Sequence, residues 1–236
     1  MADASRDVIT RQVSTAMGRL QVSDHAGDEP ARVLMHGFLD DSRIYNRLVP
    51  LLSPRRAVAF DFLGCGGSDR PQAGAANPAG HLHQFGAVLD ELGIETAVLV
   101  GHDASGPVAI DYALTAPGRV GQLILLNTYY GHAPALRLPE MIRLLADPDM
   151  TPLADAMLDD PDQRMWLLAH TARQFGIDPL DPDSVGLGFG ALDRYLSPDL
   201  ATHLASLFGR ADVHLVDGAS HWPQWDRPKA VSELAR

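Results

Sequence analysis

The stretch Leu99-Val100-Gly101-His102-Asp103-Ala104-Ser105-Gly106-Pro107 decides the predicted fold of this chain. The residues that lead into it, 96–100, are apolar and partly β-branched, which is typical of a short buried strand. The residues that follow it, 108–114, are Val-Ala-Ile-Asp-Tyr-Ala-Leu, and this pattern favours a helix. The stretch therefore predicts a sharp turn that joins a strand to a helix.

Asp103 lies at the centre of this turn. Gly101 and Ser105, two positions before and after it, are small enough to let the backbone fold tightly and hold the middle residue strained and exposed above the sheet. Such a turn is a nucleophile elbow, and its familiar central residue is serine. A carboxylate there predicts a chemistry in which the protein is alkylated rather than acylated. The alternative is that Asp103 only caps the helix that follows.

Composition narrows the classes of function. The chain has 236 residues, a length that fits one α/β domain with an insertion. Its net charge of −11 repels phosphate backbones and anionic lipids, so we expect neither nucleic acid nor membrane as a partner. Cys65 is the single cysteine, which excludes an intrachain disulfide and a thiolate metal cage. No long apolar run or secretory signal is seen, so we expect a soluble, cytoplasmic protein.

Strands and helices alternate through the first half of the chain. The predicted strands are two antiparallel edge strands within residues 12–24 and buried strands at 31–35, 57–62, 96–100 and 121–127. The predicted helices run from about Arg43 to Pro50, over residues 81–92 before Gly93, and after the elbow. This alternation indicates an α/β fold with a parallel sheet and helices on both faces. Ligands bind at the carboxyl ends of such strands, where His36, Asp103 and Asn127 follow.

The second half begins with a change of pattern. Residues 129–183 predict helices without strands, at 136–146, 152–158 and 161–175, and such an insertion above the carboxyl edge forms a lid. A glycine-rich strand over 184–193 should then end at Asp193. The predicted order closes with a helix at 198–207, a strand at 213–216, a loop that contains His221 and a helix at 228–235.

Five segments, taken in order, resemble an α/β-hydrolase over nearly the whole chain. They are His36-Gly37-Phe38, Gly64-Cys65-Gly66-Gly67-Ser68, the elbow, Gly190-Ala191-Leu192-Asp193 and Ala219-Ser220-His221-Trp222. Nucleophile, acid and histidine come in the order of this fold. The resemblance implies a mostly parallel central sheet with helices on both faces, a core of residues 1–128 and 184–236, and a helical cap at 129–183.

An elbow aspartate preceded by histidine resembles the epoxide hydrolase and haloalkane dehalogenase branch. This implies that Asp103 attacks a saturated carbon and that His221 activates water to hydrolyse the resulting ester. Asp193 would orient His221, although Asp181, Asp183 and Asn127 stay open as alternatives. The backbone amides of Phe38 and Ala104 would form the oxyanion hole. No metal or organic cofactor is expected, and the substrate, besides water, is a small and largely apolar organic molecule.

The leaving-group donor is undecided by the sequence. Dehalogenases usually carry tryptophan directly after the nucleophile, whereas this chain has Ala104, and we therefore prefer an epoxide over a halide. The candidate donors are Tyr129, Tyr130, Trp166, His170 and Tyr195.

Further alternatives stay open beside the dehalogenase. An esterase with Ser105 as its nucleophile is disfavoured, because Ser105 lies two residues beyond the tip of the elbow. A ligand-binding or signalling protein that keeps the fold and has lost turnover fits the missing leaving-group donors and the irregular strand before Asp193. The residues do not decide the oligomeric state, and a homodimer is one of the open arrangements.

Overall fold

A six-stranded sheet organises the computed structural model, which describes residues 8–38, 40–71, 75, 77–131, 136–145, 147–163, 166, 193, 196, 198–208 and 211–236. The strands are β1 (Val8–Thr15), β2 (Gly18–His25), β3 (Asp28–Met35), β4 (Arg55–Phe60), β5 (Ala97–His102) and β6 (Val120–Leu126). Their spatial order is β1-β2-β4-β3-β5-β6. The first two strands join the sheet antiparallel, and β4, β3, β5 and β6 run parallel to one another. The predicted strands over residues 12–127 are thereby confirmed.

The described helices are short, and most of them begin at or next to a proline, whose missing N–H is tolerated in a first turn. They are α1 (Pro78–Glu91), α2 (Ser105–Thr115), α3 (Glu140–Leu145), α4 (Thr151–Asp159), α5 (Pro198–Ser206), α6 (Pro223–Asp226) and α7 (Pro228–Leu234). Asn77 caps α1 through its side chain, and Gly93 ends it in a left-handed conformation with φ of +62°. No helix in the described part of the chain is long and apolar enough to cross a membrane.

The sheet buries both of its faces. Successive residues of β3 point to opposite sides, so Val33 belongs to the cluster that includes Phe85 and Val108 of α1 and α2. Leu34 belongs to the opposite cluster, which includes Tyr45 and Val231. This two-sided burial explains the nearly continuous apolar runs of the central strands.

The strand predicted at residues 213–216 is wrong. The segment 211–216 makes no strand pairing, and Val213 and Leu215 are largely exposed. A cavity of about 680 Å³ lies between it and β6, lined also by α5. Extended residues need a neighbouring edge to become a strand, and here none of the described edges is within reach. The predicted strand at 184–193 lies outside the described residues, except for Asp193.

Two helix predictions need correction. The helix from Arg43 to Pro50 is instead a pair of 3-10 turns, Ser42–Tyr45 and Val49–Leu52, the second with Pro50 in its first turn. The helix expected from residue 136 begins only at Glu140, directly after Pro139. The helices expected at 152–158, 198–207 and 228–235 are confirmed within a residue or two. The helix expected at 161–175 lies mostly outside the described residues.

Candidate active site

Asp103 occupies the tip of the turn between β5 and α2. Its φ of +47° is in the left-handed region, which a non-glycine residue adopts only where its surroundings enforce it. Neighbouring groups hold its main chain: the Thr128 hydroxyl donates to its carbonyl at 2.5 Å, and its amide donates to the Asn127 carbonyl at 3.2 Å. The Asp103 side chain does not cap α2. The capping alternative is therefore excluded.

The Asp103 carboxylate instead faces the end of β3. The backbone amide of Phe38 donates to Asp103 Oδ2 at 2.9 Å. A Cβ at Gly37 would lie 2.6 Å from the Asp103 Cβ and 2.8 Å from Oδ2, so only glycine lets the two chains approach this closely. Ala104, the other predicted oxyanion donor, begins α2 with helical φ and ψ of −61° and −18°.

His36 fixes the loop that carries the Phe38 amide. Its Nδ1 lies 2.9 Å from the Gly37 carbonyl, which can only accept, and its Nε2 accepts from the Phe62 amide at 3.0 Å. These partners require a neutral ring, and burial lowers the pKa of His36 in agreement. The sequence predicts His36 at the end of a strand and assigns it no role. The glycine that follows it, Gly37, is the feature that could have indicated one.

The structure brings Asp193 to His221. His221 Nδ1 lies 2.9 Å from Asp193 Oδ2, and the two residues are only 2 % and 7 % exposed. A carboxylate at Nδ1 leaves Nε2 as the basic nitrogen of the neutral ring. Of the three alternative partners for His221, Asn127 donates its side-chain amide to the Leu196 carbonyl at 3.4 Å. Asp181 and Asp183 lie outside the described residues.

Two further rings pack around His221. The His102 ring lies 5.4 Å from it, and His102 Nε2 is 3.1 Å from the His221 carbonyl oxygen. The Trp222 ring lies 4.4 Å away in an edge-on arrangement, and its Nε1 donates to Asp40 Oδ2 at 2.7 Å. No sequence pattern identifies Asp40, which is a buried carboxyl. The one hint of its role is its position three residues after Gly37.

The structure distinguishes between the candidate leaving-group donors by their contacts. Tyr130 directs its hydroxyl to Asp111 at 2.7 Å, and the Trp166 side chain is half exposed. Burial, followed by the Asp103 charge, raises the pKa of Tyr129, so this phenol lies within electrostatic reach of Asp103. His170 and Tyr195 lie outside the described residues.

The Ser105 hydroxyl stabilises the turn through hydrogen bonds to main-chain groups and does not face solvent. Its hydroxyl donates to the Met35 carbonyl at 2.7 Å and accepts from the His102 amide at 2.9 Å. It is also 2 % exposed. This geometry counts against Ser105 as the nucleophile of an esterase.

The described residues contain no group of three His, Cys, Asp or Glu side chains that could hold a metal ion. The 680 Å³ cavity reaches Asn127, Thr128 and Leu196, beside the acid, and its lining does not include Asp103. It is therefore a neighbour of the Asp103 region rather than its substrate pocket.

Comparison with known proteins places this geometry in a family. A model of the alpha/beta hydrolase family matches residues 33–234. Haloalkane dehalogenase 2 of Mycobacterium tuberculosis (strain ATCC 25618 / H37Rv) is 30% identical over 140 residues, which cover 59% of this chain and 49% of that protein. The chain thus spans about half the length of these relatives. A 2-hydroxy-6-oxononadienedioate/2-hydroxy-6-oxononatrienedioate hydrolase of Cupriavidus pinatubonensis is 26% identical over 274 aligned positions, covering 99% and 94%.

Solved structures agree on the fold. An alpha/beta hydrolase fold protein from Burkholderia ambifaria superimposes with a TM-score of 0.80 at 21% identity, covering 98% of each chain. The meta-cleavage product hydrolase CumD from Pseudomonas fluorescens IP01 gives a TM-score of 0.66 at 20% identity, covering 95% of each. The expected fold is confirmed, and the chain belongs to the alpha/beta hydrolase family.

Proposed function

We propose that this chain is a hydrolase with an aspartate nucleophile, which opens epoxides through an alkyl-enzyme ester. The observation that carries the proposal is the Asp103 carboxylate at the tip of the elbow, with Oδ2 held by the Phe38 amide at 2.9 Å. That hydrogen bond fixes one oxygen and orients the other for attack. A carboxylate is a sufficient nucleophile toward a strained saturated carbon.

In the first step, Asp103 Oδ1 attacks an epoxide carbon from the side opposite its C–O bond. The new bond is the ester C–O bond, and the ring C–O bond breaks. The departing oxygen takes the electron pair of the broken bond and a proton from an acid of the site. Oδ2 becomes the ester carbonyl oxygen and stays on the Phe38 amide.

In the second step, His221 Nε2 takes a proton from water, and the water oxygen attacks the ester carbonyl carbon. The oxyanion that forms is held by the Phe38 and Ala104 amides, each of which typically lowers the barrier by a few kcal/mol. Asp193 stabilises the imidazolium. Collapse of the intermediate breaks the bond between the acyl carbon and the alkyl oxygen, and the His221 proton goes to the diol. Asp103 leaves as a carboxylic acid and returns its proton to the acid of the first step, so both groups are regenerated.

The acid of the first step is proposed to be Tyr129. It lies at the end of β6 and its phenol senses the Asp103 charge, whereas Tyr130 is engaged with Asp111. Phenol O–H groups donate well to an alkoxide, and a positioned acid typically contributes 10²–10⁴-fold in rate.

Haloalkane dehalogenation is the second candidate, because relatives 30% identical over 140 residues carry that name. A departing halide needs N–H donors close to the nucleophile. The chain has three tryptophans. Trp222 donates to Asp40, Trp225 packs under Arg47 at 4.0 Å, and Trp166 is half exposed. The donors therefore favour the epoxide.

The proposed reaction also fixes its reactants and its cofactor requirement. A small and largely apolar epoxide and water are the reactants, and neither a metal nor an organic cofactor is needed for either step. We place the cap at residues 129–183, of which α3 and α4 are described. The acidic chain is proposed to work without nucleic acid or membrane.

Mass spectrometry of His221→Ala tests the proposal. The variant is exposed to a panel of small epoxides and haloalkanes, digested and compared with wild type. Ester formation does not need the histidine whereas hydrolysis does, so an adduct should accumulate on the Asp103 peptide. Tyr129→Phe should then slow adduct formation from epoxides about 10²-fold and leave haloalkanes unaffected, with Tyr130→Phe as the matched control.

An absence of adduct with every electrophile, together with ligand affinity that His221→Ala leaves unchanged, would instead indicate a binding protein. Ester hydrolysis that stays intact in Asp103→Asn would revive the esterase.

A further inference from the structure

Asp40 and His102 form a buried pair behind His221 that the two chemical steps do not use. Asp40 is 6 % exposed and His102 is fully buried. Asp40 Oδ2 lies 3.5 Å from His102 Nδ1. Both residues are also tied to the segment that carries His221, through the Trp222 indole and the His221 carbonyl. The pair therefore lies where it can control the position of the His221 ring.

The protonation of His102 follows from its partner. Its Nε2 is 3.1 Å from the His221 carbonyl oxygen, and a carbonyl can only accept a hydrogen bond. Nε2 must therefore carry a hydrogen. In the neutral ring, Nδ1 then carries a lone pair, and Asp40 Oδ2 lies 3.5 Å from this nitrogen.

The protonation of Asp40 follows in turn. An ionised carboxylate beside an imidazole lone pair places two acceptors next to each other in a buried site, which is costly. A proton between Oδ2 and Nδ1 removes that conflict and makes the pair neutral. The same Oδ2 still accepts from Trp222 Nε1 at 2.7 Å, which a protonated carboxyl oxygen can do.

We propose that Asp40 is a positioning residue that carries a proton, and that it joins His102 and Trp222 into a support for His221. His102 contacts the His221 main chain and Trp222 contacts its ring, so one carboxyl ties together both contacts. The benefit to catalysis rests on the proposed function, in which His221 activates water. The protonation and the geometry do not depend on that function.

The surrounding charges agree with a neutral pair. Burial raises the pKa of Asp40 and outweighs the Trp222 hydrogen bond, which lowers it, while the charges of Asp103 and Asp41 also raise it. Burial lowers the pKa of His102, as do the neighbouring rings of His221 and His36. Among the described residues, the phenol of Tyr45 is a further titratable group close enough for the Asp40 charge to act on it. An anion at Asp40 would also oppose the negative charge that Asp103 needs as a nucleophile.

Three variants distinguish this role from the alternatives. Asp40→Asn keeps the shape of a protonated carboxyl, with an amide N–H for His102 and an oxygen for Trp222 Nε1. Asp40→Leu keeps the approximate volume and removes both contacts. Asp41→Asn is the matched control, since the neighbouring Asp41 pairs with the exposed Arg43 side chain.

Steady-state kinetics on an accepted substrate give the first readout. We expect Asp40→Asn and Asp41→Asn to stay within about threefold of wild-type kcat. Asp40→Leu should lower kcat about 10²-fold with little change in KM, because a displaced base slows hydrolysis of the ester and leaves substrate binding intact. If Asp40→Leu does not fold, Trp222→Phe, which loses the indole N–H together with part of the buried ring, should show the same pattern to a smaller extent.

Nitrogen NMR of 15N-histidine-labelled protein gives a readout that needs no substrate. We expect His102 to show the neutral tautomer with the hydrogen on Nε2 between pH 5.5 and 8.5, in wild type and in Asp40→Asn. His221 should shift in Asp40→Leu and not in Asp41→Asn.

Each contrary result overturns the inference. An inactive Asp40→Asn means that the carboxylate acts as an anion, and an active Asp40→Leu, or an unaffected Trp222→Phe in its place, means that the site is only packing. A hydrogen on Nδ1 or a titrating His102 contradicts the proton assignment even if no substrate is turned over. Failure of the proposed function appears instead as wild type without turnover and with the expected His102 spectrum.

Discussion

The two flanks of the proposed site are held by different kinds of contact. On the nucleophile flank, main-chain groups fix Asp103: its own left-handed φ, its amide on the end of β6, and the Phe38 amide on its carboxylate. On the histidine flank, side chains fix His221, namely Asp193, His102 and Trp222. The nucleophile is therefore placed by its strained turn and by main-chain groups, whereas the base is placed by side chains, of which His102 lies 119 positions away in sequence.

The sheet supports the two flanks unequally. β5 pairs with β3 on one side and β6 on the other, so the elbow rises from a strand that is bonded along both edges. The segment 211–216, which leads to His221, pairs with none of the described strands and borders the 680 Å³ cavity. We therefore expect substitutions on the histidine flank to change position as well as chemistry.

The largest effect should come from Asp103→Asn, which breaks the nucleophile flank alone. An amide is not a nucleophile toward a saturated carbon, so turnover should fall by about 10⁴-fold or more while the melting temperature changes little. Steady-state kinetics and thermal unfolding measure the two quantities. Asp90→Asn, at an exposed ion pair with Arg119, is the control. Retained turnover in Asp103→Asn would move the nucleophile to another residue.

Asp193→Asn should break the histidine flank at a later step. The amide no longer fixes the His221 tautomer or stabilises the imidazolium, and an equivalent change in another hydrolase lowers kcat about 10⁴-fold. Ester formation should continue, so rapid-quench kinetics should show a burst of adduct followed by slow turnover. Loss of the burst would mean that Asp193 acts on the first step, against the division between the flanks.

Gly37→Ala should displace the nucleophile more than the histidine, since the new Cβ meets Asp103 more closely than it meets His102 Nδ1, which lies 3.0 Å away. The new Cβ would lie within 2.8 Å of Asp103 Oδ2, closer than such contacts allow, and a shift of about 1 Å costs roughly 10²-fold in kcat. Gly118→Ala is the matched control, since a Cβ there meets nothing within 4 Å. Equal activity of the two variants would show that the close approach of β3 to the elbow is unimportant.

The smallest expected effect is on the pH dependence of the free energy of unfolding. His36, on the nucleophile flank, and Asp40, on the histidine flank, should change it in opposite directions. Burial lowers the pKa of His36 from 6.5, so the unfolded chain takes up a proton that the folded chain does not, and stability falls as pH drops below about 6.5. Burial raises the pKa of Asp40 from 3.8, so the folded chain keeps a proton that the unfolded chain loses, and stability falls as pH rises toward the raised value.

His102 sets the window in which the Asp40 effect is visible. Its pKa is lowered by burial, so below 6.5 its contribution rises with pH and offsets that of Asp40. Above 6.5 the His102 contribution is constant, so a fall of stability as pH rises toward the raised pKa of Asp40 comes from Asp40, at up to about 1.4 kcal/mol per pH unit. Urea unfolding at pH 5.5, 6.5 and 8.0 measures both limbs. Asp40→Asn should remove the fall of stability on the alkaline limb and steepen its rise on the acid limb, and two unchanged limbs would contradict a proton on Asp40.

The nucleophile flank could be predicted from the sequence because its determinants are local. The apolar run before Gly101 and the small residues around Asp103 predict the strand, the turn and the helix, and the structure has all three. The link from Phe38 to Asp103 spans 65 residues and came from the resemblance rather than from a local pattern.

The histidine flank was predicted less well because its determinants are distant. Residues 213–216 have the pattern of a strand, but a strand also needs a neighbour, which no local pattern specifies. Asp40 contacts Trp222 across 182 positions, and nothing around Asp40 marks it as buried. The roles of Asp40 and His102 became visible only from the folded chain.

The most direct test of the account is a single turnover in water labelled with 18O, with the enzyme in excess over an epoxide that it accepts. If Asp103 forms an ester that water attacks at the carbonyl carbon, the new oxygen of the diol comes from Asp103 and is 16O. One 18O then remains on the Asp103 peptide. Direct attack of water on the epoxide would place 18O in the diol and none in Asp103, and that result would contradict the account.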